Sequence, residues 1–281
     1  MTPQEKKQLQ VAACKVRMGI LSSTHAAKCG HPGGSLSAAD LFTYLYFAEM
    51  NIDPQNPKWE ERDRFVLSKG HTATGLYSAL ANRGFFPVEE LVTLRKLGSF
   101  LQGHPNMRTV PGVDMSTGSL GQGISCAAGM ALGLKHQGKS PRVYTLLGDG
   151  EIEEGQVWEA AMFAAHYKLD NLCVIVDNNG LQIDGPVADV MSPYPIDEKF
   201  RAFGFHVEVI DGNDLEQIEK AMKIARATKD QPTAIIMKTT KGKGVSYMEN
   251  QVSWHGKAPN DEEYEIGMNE LKAALAELEG C

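Results

Sequence analysis

Three short apolar runs, residues 143–147, 172–176 and 234–237, and a further strand-like stretch at 207–210 recur along the second half of this sequence with helix-period stretches between them. A strand with one face in water alternates apolar and polar residues, whereas a continuous β-branched run is buried on both faces. Helical period over residues 156–167, 197–203 and 215–227 fills the gaps. The runs therefore specify an α/β fold, a parallel sheet with helices on both faces. In such a sheet ligands bind outside the carboxyl ends of the strands, so the residues that follow each run are the first place to seek chemistry.

Upstream, Leu9, Ala12, Ala13, Val16, Ile20 and Ala27 keep a helical period that stops at Gly30 and Pro32. A second short helix is expected over residues 38–48, with Leu41, Tyr44 and Leu45 on its buried side. Residues 64–67 read as a further strand, followed by a loop and a helix over residues 72–81, and residues 82–87 turn the chain. Residues 98–117 are irregular and rich in Gly, Pro and His; a loop of that length inside a compact domain is more often functional than not. A helix over residues 121–136 starts directly after Thr117-Gly118-Ser119, and its many small residues permit close packing. The acidic tail, residues 261–280, has helical period and is expected to pack on the outside. With no internal repeat and no linker, residues 1–281 are expected to form one domain.

Composition limits the partners. A formal net charge of -7 offers nothing to neutralise a run of phosphates, which argues against nucleic acid and against an anionic membrane surface; residues 238–243 form a local basic cluster. The five cysteines, Cys14, Cys29, Cys126, Cys173 and Cys281, are scattered without Cys-x-x-Cys spacing. They suggest neither a disulfide framework nor a zinc site, and Cys14, Cys126 and Cys173 are expected as small core residues. The polar opening ten residues lack a leader pattern and no stretch reaches membrane-spanning length, so the expectation is a cytoplasmic protein.

Two strand ends carry suitable groups. Residues 148–154 read Gly-Asp-Gly-Glu-Ile-Glu-Glu and residues 177–181 read Asp-Asn-Asn-Gly-Leu. Each taken alone is ordinary turn chemistry. Thirty positions separate Asp149 from Asn179, the length of a helix plus the next strand, which puts a carboxylate and an amide oxygen on neighbouring strand ends. Both are hard oxygen ligands suited to magnesium that keeps places for water and phosphate. Gly150 would let the backbone approach a diphosphate closely.

This pair resembles the thiamine-diphosphate motif, and the rest of the chain resembles the transketolase family. The matching segments are Gly30-His31-Pro32-Gly33-Gly34, Leu67-Ser68-Lys69-Gly70-His71, Gly103-His104-Pro105, the run from Thr117 to Gly123, and Trp254-His255-Gly256-Lys257. Several motifs in fixed order cover almost the whole chain. The resemblance implies a thiamine-diphosphate-binding fold, its diphosphate and magnesium side, with Asp149, Asn179 and the backbone carbonyl of Leu181 binding magnesium (calcium or manganese able to substitute). It implies that His71, Gly118, Ser119, Leu120, Gly150, Asn179, Lys241, His255 and Glu154 surround the cofactor, Glu154 at a contact between subunits, and that His31, His104 and His255 act on the sugar. Lys69 is placed with Lys241 toward cofactor or substrate. The turn before the 121–136 helix would offer free amides to an anion or a polar ring edge. Glu151 and Glu153 are assigned to the surface, and His25, His136, His166 and His206, which carry no motif, to packing or surface.

Full-length transketolases resemble this chain only in their N-terminal part. The resemblance therefore implies a second polypeptide, a C-terminal transketolase subunit that supplies the pyrimidine-side domain, in a heteromer with two of each chain. The expected reaction is transfer of a two-carbon ketol unit between sugar phosphates in the pentose phosphate pathway. A subunit specialised for another ketose such as apulose 4-phosphate is the alternative. A 2-oxo acid dehydrogenase alpha subunit shares the magnesium motif without the four histidines, and a deoxyxylulose phosphate synthase is normally one long chain. A binding subunit without catalysis is the non-enzyme reading, against which Asp149, Asn179 and His255 stand.

Overall fold

The computed structural model describes residues 1–280; Cys281 lies outside the described residues. In chain order, α1 (Pro3–Ala27), α2 (Pro32–Ser37) and α3 (Ala39–Tyr44) precede β1 (Arg64–Leu67), α4 (Ala73–Arg83), α5 (Gly123–His136) and β2 (Val143–Gly148). Then come α6 (Gly155–His166), β3 (Leu172–Asn178), a small hairpin of β4 (Leu181–Gln182) and β5 (Gly185–Pro186), α7 (Val187–Val190) and α8 (Ile196–Ala202). The chain closes with β6 (His206–Asp211), α9 (Leu215–Ala227), β7 (Thr233–Lys238) and α10 (Asp261–Glu279).

The main sheet is fully parallel in the order β1-β2-β3-β7-β6. Its inner strands are apolar on both faces because helices cover both. Phe65, Tyr144, Leu146, Cys173, Ile175 and Ile235 point into a core with α1, α3, α4 and α9. Val66, Val143, Leu147, Val174, Val176 and Ile236 point the other way, onto α5, α6 and α8. Strand order runs outward from β1 to β3, then skips a place to β6 and returns through α9 to β7. The reversal lies between β3 and β7, where Asn178 pairs with Lys238; a crevice opens at such a switch point.

Helix ends follow local chemistry. Thr2 with Glu5 and Asn260 with Glu263 form capping boxes at the starts of α1 and α10, each satisfying two backbone donors. The helix expected over residues 38–48 is differently bounded. Pro32, suited to a first helical position, already starts α2, and α3 ends in a π turn, Leu45–Glu49. That wider turn carries Glu49 inward, where its carboxylate accepts from the Tyr144 hydroxyl at 2.9 Å and from Arg226. The α10 tail does lie outside the sheet layers, but it is more than a cover: Met268 and Leu271 are buried in the core beside α1. Cys14 and Cys173 are buried, whereas Cys126 is only half-buried, on the outer side of α5; all four described cysteines are free. Among the described residues no helix is long and apolar enough to cross a membrane.

The start of α5 packs tightly on the residue that follows β1. A Cβ at Gly123, the first residue of α5, would stand 2.6 Å from Ser68 Cα, a backbone atom that cannot swing aside. Overpacking of this kind costs about 1–3 kcal/mol. Gly123→Ala should therefore lower the unfolding free energy by that amount, read as a lower urea midpoint with the slope of the transition unchanged. An unchanged midpoint would mean that the helix start has room to move.

Candidate functional site

The carboxyl ends of four strands meet at one cleft of about 270 Å³. β1 leads to Lys69 and His71, β2 to Asp149, Gly150 and Glu151, β3 to Asn179, Leu181 and Gln182, and β7 to Lys241. His31 enters from the residue before α2, Gly118 and Leu120 from the turn before α5, and His255 from a 3-10 turn, Val252–His255.

Beneath the cleft lies Asp177, with no solvent exposure. Its carboxylate accepts from Lys69 Nζ, Ser37 Oγ (2.5 Å), Thr239 Oγ1 and Asn179 Nδ2 (3.0 Å). Burial alone would raise its pKa, but the Lys69 ammonium and these hydrogen bonds hold it below the ordinary carboxylate value. One consequence is geometric. Because the Asn179 amide nitrogen faces Asp177, its oxygen is left to the other side, where it also accepts from Leu181 N at 3.1 Å.

Asp149 stands next to this pair. Its two oxygens accept from Gly150 N (3.0 Å) and Gly180 N (2.6 Å), so the β3 end is tied to the β2 end through the carboxylate itself. Burial first, and then the Asp177 charge, push its carboxyl up to about 7. Among the described residues no three His, Cys, Asp or Glu side chains converge as a metal set. The Asp149 carboxylate, the Asn179 amide oxygen and the Leu181 carbonyl are instead a hard, all-oxygen set with one formal charge. That set fits a divalent cation that completes its shell with phosphate and water. A cation there would also relieve the desolvated Asp149. Lys241, buried at 2% exposure, already donates to the Leu181 carbonyl at 2.9 Å and to His255 Nδ1 at 3.0 Å. Burial and the Lys69 charge bring its ammonium down to about 8.

Three imidazoles form one wall. His31 and His71 lie 5.0 Å apart between centroids, His31 and His255 5.6 Å, and His71 and His255 stack at 5.3 Å. Burial, then the Arg95 charge, lowers His31 to about 4; burial, then the Lys241 charge, lowers His255 to about 3; and burial, then Lys69, puts His71 well below the usual range. All three are neutral near pH 7. Since Lys241 donates to His255 Nδ1, the ring's own proton is assigned to Nε2. His31 Nδ1 is buried with no hydrogen-bond partner, an orphan acceptor or donor beside the cleft.

Not every residue named from the sequence lines this cleft. His104 is exposed at the rim, its ring beside Gly118, whose φ of +158° favours glycine and whose Cβ would meet His104 Cδ2 at 3.1 Å. Ser119 and Glu154 are exposed and outside the lining, Glu154 with its side chain against Gly121. Lys69, placed toward cofactor or substrate, does line the cleft, but its ammonium is half of a buried ion pair with Asp177. One assignment needs correction. Glu151 is not on the surface: at 3% exposure its carboxylate accepts from Ser68 Oγ, Gly121 N and Gly148 N at 2.5, 2.9 and 3.0 Å. It thereby occupies one of the amides expected to be free for a ligand. Gln182, which donates to Glu153 at 2.9 Å, and exposed Ile183 also line the cleft. No spacing rule points to them, since the hairpin that carries them is only two residues per strand.

Comparisons with known proteins find one family and several relatives. The family described as transketolase, thiamine diphosphate binding domain, matches residues 8–275. The 6-deoxy-6-sulfo-D-fructose transketolase subunit SqwG of Clostridium sp. (strain MSTE9) is 45% identical over 271 residues, 96% of each chain. An apulose-4-phosphate transketolase subunit of Phocaeicola vulgatus is 42% identical, again over 96% of each. The crystal structure of a transketolase from Campylobacter jejuni superposes with a TM-score of 0.89 at 33% identity, covering 99% of this chain but 46% of that one.

The neutral imidazoles give the fold a pH dependence of known sign. With folded pKa values of about 4 and 3 for His31 and His255, against about 6.5 unfolded, the unfolded chain binds more protons below that value. Their contribution is complete above pH 6.5 and is lost as pH falls toward the folded values. Thermal midpoints should drop between pH 7 and pH 5, and drop less in the His31→Gln/His255→Gln variant. An equal drop in both would show that these rings titrate freely.

Proposed function

The chain belongs to the transketolase family, in its thiamine-diphosphate-binding part, and from that premise we propose that it is the diphosphate-side subunit of a two-chain transketolase. With its partner it transfers a two-carbon ketol unit from a ketose phosphate to an aldose phosphate. The observation that carries this reading is the meeting of Asp149, Asn179 and Leu181 with His31, His71 and His255 in one cleft.

Magnesium, replaceable by calcium or manganese, is held by the Asp149 carboxylate, the Asn179 amide oxygen and the Leu181 carbonyl. Thiamine diphosphate, when bound, supplies the nucleophilic carbon that carries the two-carbon unit. Around it His71, Gly118, Leu120 and Gly150 form the cradle, with Ser119 on the exposed turn beside them, and the Lys241 ammonium offsets diphosphate charge. His255 presents its Nε2 proton, and His31 its ring nitrogens, to the ketose oxygens, where a neutral imidazole both donates to an oxygen gaining charge and takes up a hydroxyl proton. His104 does the same from the rim, and Glu154 meets the partner.

Two relatives of matching length are named as subunits, which supports a second polypeptide that brings the pyrimidine-side domain. Two copies of each chain would make a heterotetramer. Those relatives' names also favour a second reading of the substrate, a ketose specialised away from the pentose phosphates, such as a sulfonated or branched sugar.

Ketol transfer should therefore require both chains. Xylulose 5-phosphate, apulose 4-phosphate and 6-deoxy-6-sulfofructose should each be offered as donor, with this chain, with its partner, and with both. Turnover by this chain alone would sink the two-chain reading. For the metal, calorimetric titration of the assembled enzyme should show thiamine-diphosphate affinity collapsing in Asp149→Ala, as it does on chelation of magnesium; an unaltered affinity would remove the site. His31→Ala and His255→Ala should lower turnover about a hundredfold, more than they weaken cofactor binding.

A further inference from the structure

We propose that Glu151 is a positioning residue, whose carboxylate fastens three separate walls of the cleft to one another and so presents the Gly118–Gly121 turn to the cofactor. The inference rests on the reading of the cleft as a thiamine-diphosphate site. It concerns a residue that touches neither the proposed metal ligands nor the sugar-facing histidines by hydrogen bond.

The three donors to Glu151 come from three segments far apart in sequence. Ser68 Oγ, on Oε1 at 2.5 Å, follows β1 directly, just before Lys69 and His71. Gly121 N, on the same oxygen at 2.9 Å, ends the turn that carries Gly118 and Leu120. Gly148 N, on Oε2 at 3.0 Å, ends β2 just before Asp149. All three groups donate, which matches an ionised carboxylate, an acceptor at both oxygens. Hydrogen bonds to a charged acceptor are stronger than neutral ones, the more so away from water, and Glu151 is nearly fully buried.

The turn needs such a fastening. It has no regular structure, Ser119 and Leu120 are exposed, and Gly118 and Gly121 both have positive φ. Besides Glu151, its hydrogen bond to the sheet is Thr117 Oγ1 on the Leu67 carbonyl at 2.6 Å. Without the carboxylate, the segment from Gly118 to Gly121 would keep that bond at its start and otherwise only packing against Gly70, His104 and Glu154. A wall ordered before the cofactor arrives leaves less ordering cost to binding. A wall released would bind more weakly even though every group touching the cofactor remained.

The test separates this role from a general loss of stability. Glu151→Ala and Glu151→Gln are compared with Leu271→Ala, a core truncation on α10 remote from the cleft. In the apo chain, hydrogen exchange at Gly121 N should speed about tenfold or more in Glu151→Ala and stay near native in Leu271→Ala. In the assembled enzyme, the thiamine-diphosphate Kd should rise about tenfold in Glu151→Ala, while kcat at saturating cofactor falls much less. Glu151→Gln keeps an acceptor for Gly121 and Ser68 but sets an N–H against Gly148, so it should fall between native and Ala; it also serves if the Ala variant does not fold. The proposal is overturned if Gly121 exchange is unchanged, or if the Kd rises no more than in Leu271→Ala. If the native complex binds no thiamine diphosphate, the functional reading fails, while the exchange result still decides whether Glu151 holds the turn.

Discussion

A carboxylate sealed under the cleft governs the rest of the site. Asp177 has no water to solvate it, so its charge is tolerable only because four donors converge on it, one of them the Lys69 ammonium. Removing one member of such a buried pair typically costs about 3–5 kcal/mol, because the other is left uncompensated. The donors come from α2, the end of β1, the end of β7 and Asn179, so satisfying one charge aligns four parts of the chain. The pair also sets the electrostatics above it. Asp177 raises the neighbouring Asp149, and Lys69 lowers Lys241 and His71. The cleft floor thus holds a carboxylate near neutrality, a softened lysine and three neutral rings.

The location of that floor follows from topology. Parallel strands deliver their following loops to the same edge, and the reversal of strand order between β3 and β7 leaves the loops after them without a helix lying directly over the gap. Asn179 to Gln182 and Thr239 to Lys241 emerge on either side of that gap. The sheet supplies rigid origins for these loops, while the loops supply the chemistry.

Much of this is readable from the sequence, for a physical reason. A strand buried on both faces needs a continuous apolar run, and each run in the second half lies within a residue or two of a strand. Asp149 and Asn179 can be paired because the helix and strand between them have predictable lengths. The interactions that do not show are those linking residues without a shared period. Lys69 and Asp177 are 108 positions apart, and nothing local distinguishes Lys69 from a solvated lysine. Glu151 sits in an acidic stretch that reads as surface, and its burial depends on three loops arriving together. The start of α2 is not legible because a proline that ends one helical pattern equally starts another. His104, Ser119 and Glu154 belong to motifs whose geometry at the rim is not set by strand ends at all.

The cleft joins the two ends of the sequence. His31 and His255 are 224 positions apart, yet their rings are in contact, and α1 carries α10 along its length, with His25 stacked on Tyr264 at 4.1 Å. A ribosome delivers the chain from its amino end, at roughly 5–20 residues each second. The β1–β2–β3 part of the sheet can therefore assemble well before the segment bearing Lys241 and His255 has emerged. Until then α1 shows water the apolar stripe that α10 will cover, and the histidine wall lacks a member. The histidine wall is thus completed only when residue 255 has been made, and the closing of α10 over α1 comes later still.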